Sequence, residues 1–287
     1  MKHHFTLLLL FTALTTYGQQ YIKINNTGQL KLLGSFDKEL LSEAPFAEWF
    51  SPNYDTFNIE KSELQLLSSK ISNVDSIQIF LGTWCGDSKR EVPRFLKIMD
   101  ELNFENITLI GLDHTFQNYK QSPFGEEAGL NIHRVPTFIF YKDSIEINRI
   151  VESPKTSLTA DINALLDNQY SPNYEIVTAL NKLFKTSGYN HVNSQIDSIA
   201  GEWQGKVENQ FVLNTYGYKL FTSFQLPEAE AVFQLNCLLF PQECRPFLTM
   251  GRYYLRVGDM ELARLQFEKG LEIDKNNEEL LTALNSI

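Results

Sequence analysis

The sequence predicts an α/β domain, a mixed sheet with helices on both faces, followed by an all-α array of helical repeats. Two patterns carry that expectation. Between Ser76 and Leu166, apolar runs of strand length alternate with segments whose apolar residues recur at helical spacing. After "QYSPNYE" (169–175) no strand pattern returns, and the chain matches itself at an offset of 34 residues. A length of 287 residues accommodates the two cores this implies.

The first residues read as an address. Lys2 provides a short basic start, Phe5 to Leu14 is apolar, and Thr16-Tyr17-Gly18 offers the small residues a signal peptidase needs. The expectation is a signal peptide over 1–18, cleaved near Gly18/Gln19, and a soluble protein that is exported, periplasmic or secreted. The apolar run is shorter than the roughly 20 residues that span a bilayer, and no later run reaches that length, so no membrane span is expected. Residues 19–73 read as an N-terminal extension whose aromatic cluster, Phe46, Trp49 and Phe50, packs on the domain that follows.

That domain occupies 74–168. "SIQIFL" (76–81) is a buried-type strand, and Val92, Phe95, Leu96 and Met99 mark one face of a helix over 86–102. "ITLIGLD" (107–113) is a second strand, followed by a polar loop and a short helix expected near Gly125 to Leu130. "PTFIFYKD" and "IEINRIV" form a hairpin turning at Asp143-Ser144, and Ser157 opens a helix that runs to Leu166. Residues 169–209 read as a linker and helical region, with Ser171-Pro172 discouraging helix continuation.

In the tail, the offset of 34 places Gly217 on Gly251, Phe221 on Leu255, Leu226 on Met260, Ala229 on Ala263 and Phe233 on Phe267, without a gap. This resembles the tetratricopeptide (TPR) pattern, in which small residues admit close helix pairs and aromatics fill between them. Residues 210–287 are read as such repeats with a closing helix in "NEELLTALNSI", presenting a surface for a peptide or protein.

A formal net charge of −10, with no Lys/Arg-dense stripe, argues against a nucleic-acid partner and against attraction to anionic lipid. With three cysteines in an oxidising compartment, at least one thiol lacks an intrachain partner. Cys237 and Cys244 are the pair nearest in sequence; a bridge between them stays open, and Cys237 also fits a small core residue on an apolar helix face. Asp113, His114, His133 and Glu152 follow no recurrent ligand spacing, and the histidines read as lone exposed residues, so neither a metal nor a cofactor is expected.

The chemistry concentrates in "IFLGTWCGDSKREVP" (79–93). A strand ends at Leu81, a short loop carries Trp84-Cys85-Gly86-Asp87-Ser88, and a helix begins at the cysteine. Unpaired backbone N–H groups and the positive end of the helix dipole there favour a thiolate.

This segment resembles the thioredoxin superfamily, and more narrowly its exported members with WCGDS where WCxxC is usual. Pro93, eight residues after the cysteine, and "RVPTFIF" support the resemblance, which covers about 74–168. It implies that Cys85 is the working residue, that Pro136 is a cis-proline facing it beside Val135, and that this backbone receives an extended partner. The second cysteine of the family is replaced by Ser88, a possible hydrogen-bond donor to the Cys85 thiolate, which excludes an internal dithiol cycle. The family's buried carboxylate is replaced by Ile79, leaving Asp87 as the nearest proton-transfer group, with Lys89 and Arg90 able to offset its charge. Monothiol exchange with protein partners or external thiols is the expected function. The alternatives are a non-catalytic binding module and a sensor in which Cys85 cycles through a sulfenic acid.

Overall fold

The computed structural model describes residues 21–24, as backbone, and 30–287. The signal peptide expected over 1–18 lies outside the described residues. Six strands form one mixed sheet in the order β1-β2-β4-β3-β5-β6. They are β1 (Tyr21–Ile24), β2 (Leu30–Phe36), β3 (Ser76–Leu81), β4 (Ile107–Gly111), β5 (Thr137–Lys142) and β6 (Ile145–Val151). β3 runs parallel to β4 and antiparallel to β5, and every other pairing is antiparallel.

Residues 19–73 therefore do more than pack on the domain. Two strands of this stretch extend the sheet, with Gly34, Ser35 and Phe36 in register with Gly111, Ile110 and Leu109. Its helices α1 (Ala47–Asp55) and α2 (Lys61–Lys70) pack against α3 (Gly86–Glu101) and α4 (Leu158–Leu166) respectively. Phe46 and Phe50 are buried in the core, with Trp49 edge-on to both.

Alternation along the central strands divides the domain into two faces. Ile77, Ile79, Leu81, Phe138 and Phe140 point into the larger core, where they meet Val92, Phe95, Leu96 and Met99 of α3. Phe80 and Ile139 point to the other face, into a smaller core with Ile110, Leu112, Ile132 and Val135. All four helices of this domain contribute to the larger core. The second face is covered instead by the segment 112–135, so the expectation of helices on both faces is corrected. The short helix expected near Gly125–Leu130 is also not formed. The chain there makes successive turns, with Gly125 and Gly129 at φ +75°, a conformation that a helix cannot contain.

The tail is helical: α5 (Glu175–Ser194), broken by a kink at Gly188 (φ +76°), α6 (Ile196–Trp203), α7 (Phe211–Thr222), α8 (Leu226–Leu239), α9 (Cys244–Val257), α10 (Met260–Ile273) and α11 (Glu278–Asn285). Consecutive helices pair as α7/α8 and α9/α10. In both pairs a glycine meets a phenylalanine ring: a Cβ on Gly217 would sit 2.4 Å from Phe233, and one on Gly251 would sit 2.3 Å from Phe267. The missing side chain is what lets each pair close. Among the described residues no helix is long and apolar enough to cross a membrane.

The tail is docked on segment 112–135. Lys219 Nζ donates to the Lys120 carbonyl at 3.1 Å and pairs with Glu127 at 3.6 Å, both side chains being buried. Gln121 Nε2 donates to the Thr222 carbonyl at 2.6 Å, and Asn131 Nδ2 to Tyr216 Oη at 3.0 Å. Arg256 lies over the Phe116 ring, and His133 stands edge-on to Tyr174 and Tyr216.

Candidate active site

Cys85 is the N-cap of α3, in extended conformation. Its N–H donates to the Gly82 carbonyl at 2.8 Å, and its own carbonyl accepts the first helical bond from Lys89 N–H at 3.0 Å. The turn from β3 into α3 thus delivers the sulfur to the positive end of a helix of 16 residues. The thiol is partly exposed and donates to the Val135 carbonyl oxygen at 3.3 Å. The Val135-Pro136 peptide is cis, and both residues are buried.

Trp84 is held in place on several sides. Its Nε1–H donates to the Leu112 carbonyl at 2.8 Å, His114 lies with its ring centroid 4.8 Å away, and Lys120 Nζ approaches the ring to 5.3 Å. Gly86, by contrast, is exposed. Ser88 is fully buried, and its hydroxyl accepts from the Gly82 N–H at 3.1 Å. The expected bond from Ser88 to Cys85 is not among the hydrogen bonds of the described residues. The serine braces the turn from behind.

Asp87 turns away as well. Its carboxylate accepts from Arg90 at 2.7 Å, and Arg90 also donates to buried Glu91 at 2.5 Å. The acidic neighbour of the cysteine is thereby balanced by the Arg90 guanidinium.

On the Val135 side, Arg134 pairs with Glu152 at 3.2 Å and lies over the Tyr174 ring. Tyr174 also donates to Glu152, and burial raises its phenol well above the usual range. On the Trp84 side, Asp113 forms a buried ion pair with Lys31 at 2.9 Å and accepts from the N–H groups of His114 and Thr115. Burial pushes the Asp113 carboxyl upward, but these donors outweigh it and hold it below the ordinary range. His133, read from sequence as exposed, is buried, and burial followed by the charges of Arg134 and Lys120 lowers it to about 3. Among the described residues no cluster of three His, Cys, Asp or Glu side chains is placed to hold a metal ion. Cys237 and Cys244 are free thiols in the structure, and burial pushes the Cys237 thiol up to about 12.

No protein-family model matches the chain. Curated relatives do. Thioredoxin-1 of Schizosaccharomyces pombe is 32% identical over 87 residues, covering 30% of this chain and 77% of the relative. The chain belongs to the thioredoxin family. Thioredoxin of Malassezia sympodialis is 32% identical over 83 residues, 29% of this chain and 73% of the relative. Thioredoxin Asp f 29 of Aspergillus fumigatus is 30% identical over 82 residues, 29% of this chain and 69% of the relative.

Within this thioredoxin-family domain the structure brings Trp84, Cys85, Val135 and Pro136 into one site and sends Gly86, Asp87 and Ser88 to its periphery. Sequence reasoning missed Lys120, Tyr119 and Arg134. Arg134 was adjacent to the "VPT" signal and could have been found from it. Lys120 and Tyr119 sit in a polar loop whose spacing carries no signal; only its folding back brings Lys120 to Trp84, with the Tyr119 ring beside the same amine.

Proposed function

We propose that this chain carries out thiol–disulfide exchange through Cys85 alone. Its thioredoxin relatives suggest thiol–disulfide redox chemistry at the level of the family. The observation that carries the finer reading is the placement of one partly exposed thiol at a helix N-terminus and against the Val135 carbonyl. In this reading the Cys85 thiolate attacks a partner disulfide, and a mixed disulfide forms as the partner's other sulfur leaves. An external thiol or the partner's second cysteine then releases the partner, because the residue three positions on is Ser88. Segment 134–136 beside the thiol offers backbone for an extended stretch of the partner protein.

We read the tail as two tetratricopeptide-like repeats, α7/α8 and α9/α10, closed by α11, which offer a partner protein a second surface. Support comes from the Gly217/Phe233 and Gly251/Phe267 contacts, which recur at the same offset. We read the protein as exported, a reading supported by Lys2 and the apolar run Phe5 to Leu14.

The test is trapping. Full-length protein incubated with native extract and quenched with acid yields disulfide-linked adducts that vanish on reduction and in Cys85→Ser. Adducts of equal yield in Cys85→Ser would refute the reading and leave a binding module. N-terminal sequencing of protein recovered outside the cytoplasm is expected to start at Gln19.

A further inference from the structure

The segment "QYSPNYE", which reads from sequence as a boundary between domains, is fastened to the strand end beside the Cys85 site. Asn173 Nδ2 donates to the carbonyls of Val151 at 3.0 Å and Ser153 at 2.7 Å, one on either side of Glu152. Tyr174, the N-cap of α5, donates its hydroxyl to the Glu152 carboxylate. Asn173 and Tyr174 together therefore grip Val151, Glu152 and Ser153 where β6 ends.

Glu152 passes that hold on to the approach to β5. Its N–H donates to the Pro136 carbonyl at 2.7 Å, and its carboxylate pairs with Arg134 at 3.2 Å. Tyr174 also reaches the same stretch directly. Its ring lies 4.9 Å from the Arg134 guanidinium and 5.6 Å from the His133 ring, which stands edge-on to it. Val135 is thus held through the residue before it and the residue after it, and its carbonyl is the acceptor of the Cys85 thiol.

A simple connection between two domains requires none of these contacts. Two of the residues that make them stand in the left-handed region of backbone space, Glu152 at φ +67° and Tyr174 at φ +64°. Residues other than glycine keep that conformation where the surrounding structure over-determines it, and such positions cluster at functional sites. Here the surroundings are the Asn173 amide, the Arg134 guanidinium and the Pro136 carbonyl.

We propose that Asn173 and Tyr174 are positioning residues of the Cys85 site, acting through Glu152 and Arg134 to fix the Val135–Pro136 peptide against the sulfur. The inference rests on the reading of Cys85 as the exchanging thiol. An extended partner aligned on that peptide meets the sulfur only if the peptide keeps its place, and a misplacement of about 1 Å is enough to slow a positioned reaction by orders of magnitude. Because Tyr174 opens the first helix of the tail, the tail supplies part of the frame of the site.

The experiment uses the full chain in a Cys237→Ala/Cys244→Ala background and compares this parent with Asn173→Ala, Tyr174→Leu and Tyr174→Phe, which leave Arg134 and Glu152 in place. Cys85 is alkylated with iodoacetamide and with an extended pentapeptide whose central side chain carries an iodoacetyl group. The parent is labelled by the peptide with saturation. In Asn173→Ala and Tyr174→Leu the peptide rate falls about fivefold or more while the iodoacetamide rate stays within about twofold. Tyr174→Phe, which keeps the ring beside Arg134, retains more of the peptide rate than Tyr174→Leu.

Variants that melt lower than the parent but keep its ratio of peptide to iodoacetamide rates overturn the inference, since the contacts then only hold the chain together. Equal losses with both probes overturn it as well, because the thiol itself has then moved out of reach. So does a parent that the peptide labels without saturation. The functional reading is tested separately, by exchange of the parent with the same peptide presented as a disulfide of nitrothiobenzoate. Peptide labelling that depends on Asn173 and Tyr174 in a parent that exchanges no disulfide overturns that reading alone; exchange in a parent whose labelling ratio ignores both residues overturns the positioning alone.

Discussion

The Cys85 thiol and the Val135 carbonyl oxygen, 50 residues apart in the chain, meet at 3.3 Å. One belongs to the turn after β3 and the other to the approach to β5, two strands paired directly in the sheet. Pairing of Phe80 with Thr137 at the end of that ladder brings the turn and the approach side by side. The site is thus a product of strand register.

Ser88 is where a resolving thiol can be restored. Because its hydroxyl accepts from Gly82 N–H in a fully buried position, Ser88→Cys exchanges a good acceptor for a weak one and costs about 1 kcal/mol. The expected gain is turnover: trapped adducts in extract decrease, and net reduction of a protein disulfide by dithiothreitol becomes catalytic. Unchanged adduct yield alongside an intact fold would count against Cys85 as the exchanging group.

Lys31 and Asp113 form a buried ion pair whose side chains are each 3% exposed. Lys31→Met strands the carboxylate and is expected to cost about 3–5 kcal/mol in urea unfolding. Asp113→Asn added to that variant removes the stranded charge while its carbonyl still accepts from His114 and Thr115, so the double variant recovers a large part of the loss. A single variant within 1 kcal/mol of wild type, on the order of an exposed pair, would contradict the burial.

His133 links the sheet domain to the tail through Tyr174 and Tyr216. Its folded value, lowered by burial to about 3, lies below the roughly 6.5 of an unfolded histidine. The unfolded chain therefore binds the extra proton first. The stability that neutral His133 provides is complete above pH ~6.5 and is lost as pH falls toward ~3, on the order of 1–2 kcal/mol by pH 5. Urea midpoints at pH 7 and pH 5 are expected to show this slope, and His133→Phe to flatten it.

Gly217 and Gly251 face Phe233 and Phe267 at distances no Cβ tolerates. Alanine at either position is expected to cost about 1–3 kcal/mol through overpacking. Gly217→Ala and Gly251→Ala should match within about 0.5 kcal/mol if the two pairs are equivalent units, a comparison that urea melts of the full chain provide.

Much of the fold was legible where one local pattern dominates. β3, β5 and β6 announce themselves as apolar runs, the hairpin turn at Asp143-Ser144 has both residues at positive φ, and Ser157 caps α4 through Ala160 N–H. Cys85 was legible because a buried strand, a short loop and a helix follow one another within a few residues. What stayed hidden depends on distant partners. β2 contains Lys31, an unlikely strand-interior residue until Asp113 arrives to pair with it from 82 positions away. Lys120 reads as loop polarity until Asp113 closes the loop 114–119 beneath it. Ser88 was expected to serve the sulfur because it is its near neighbour on the helix, yet the helix turns its hydroxyl inward to Gly82.

If Cys85 exchanges disulfides as proposed, that inward serine governs how long an adduct lasts. A sulfur there would give any adduct at Cys85 a built-in way out; an oxygen gives none. On the proposed reading, the dwell time of a captured molecule is then decided by its surroundings, brief in a thiol-rich medium and long in a thiol-poor one.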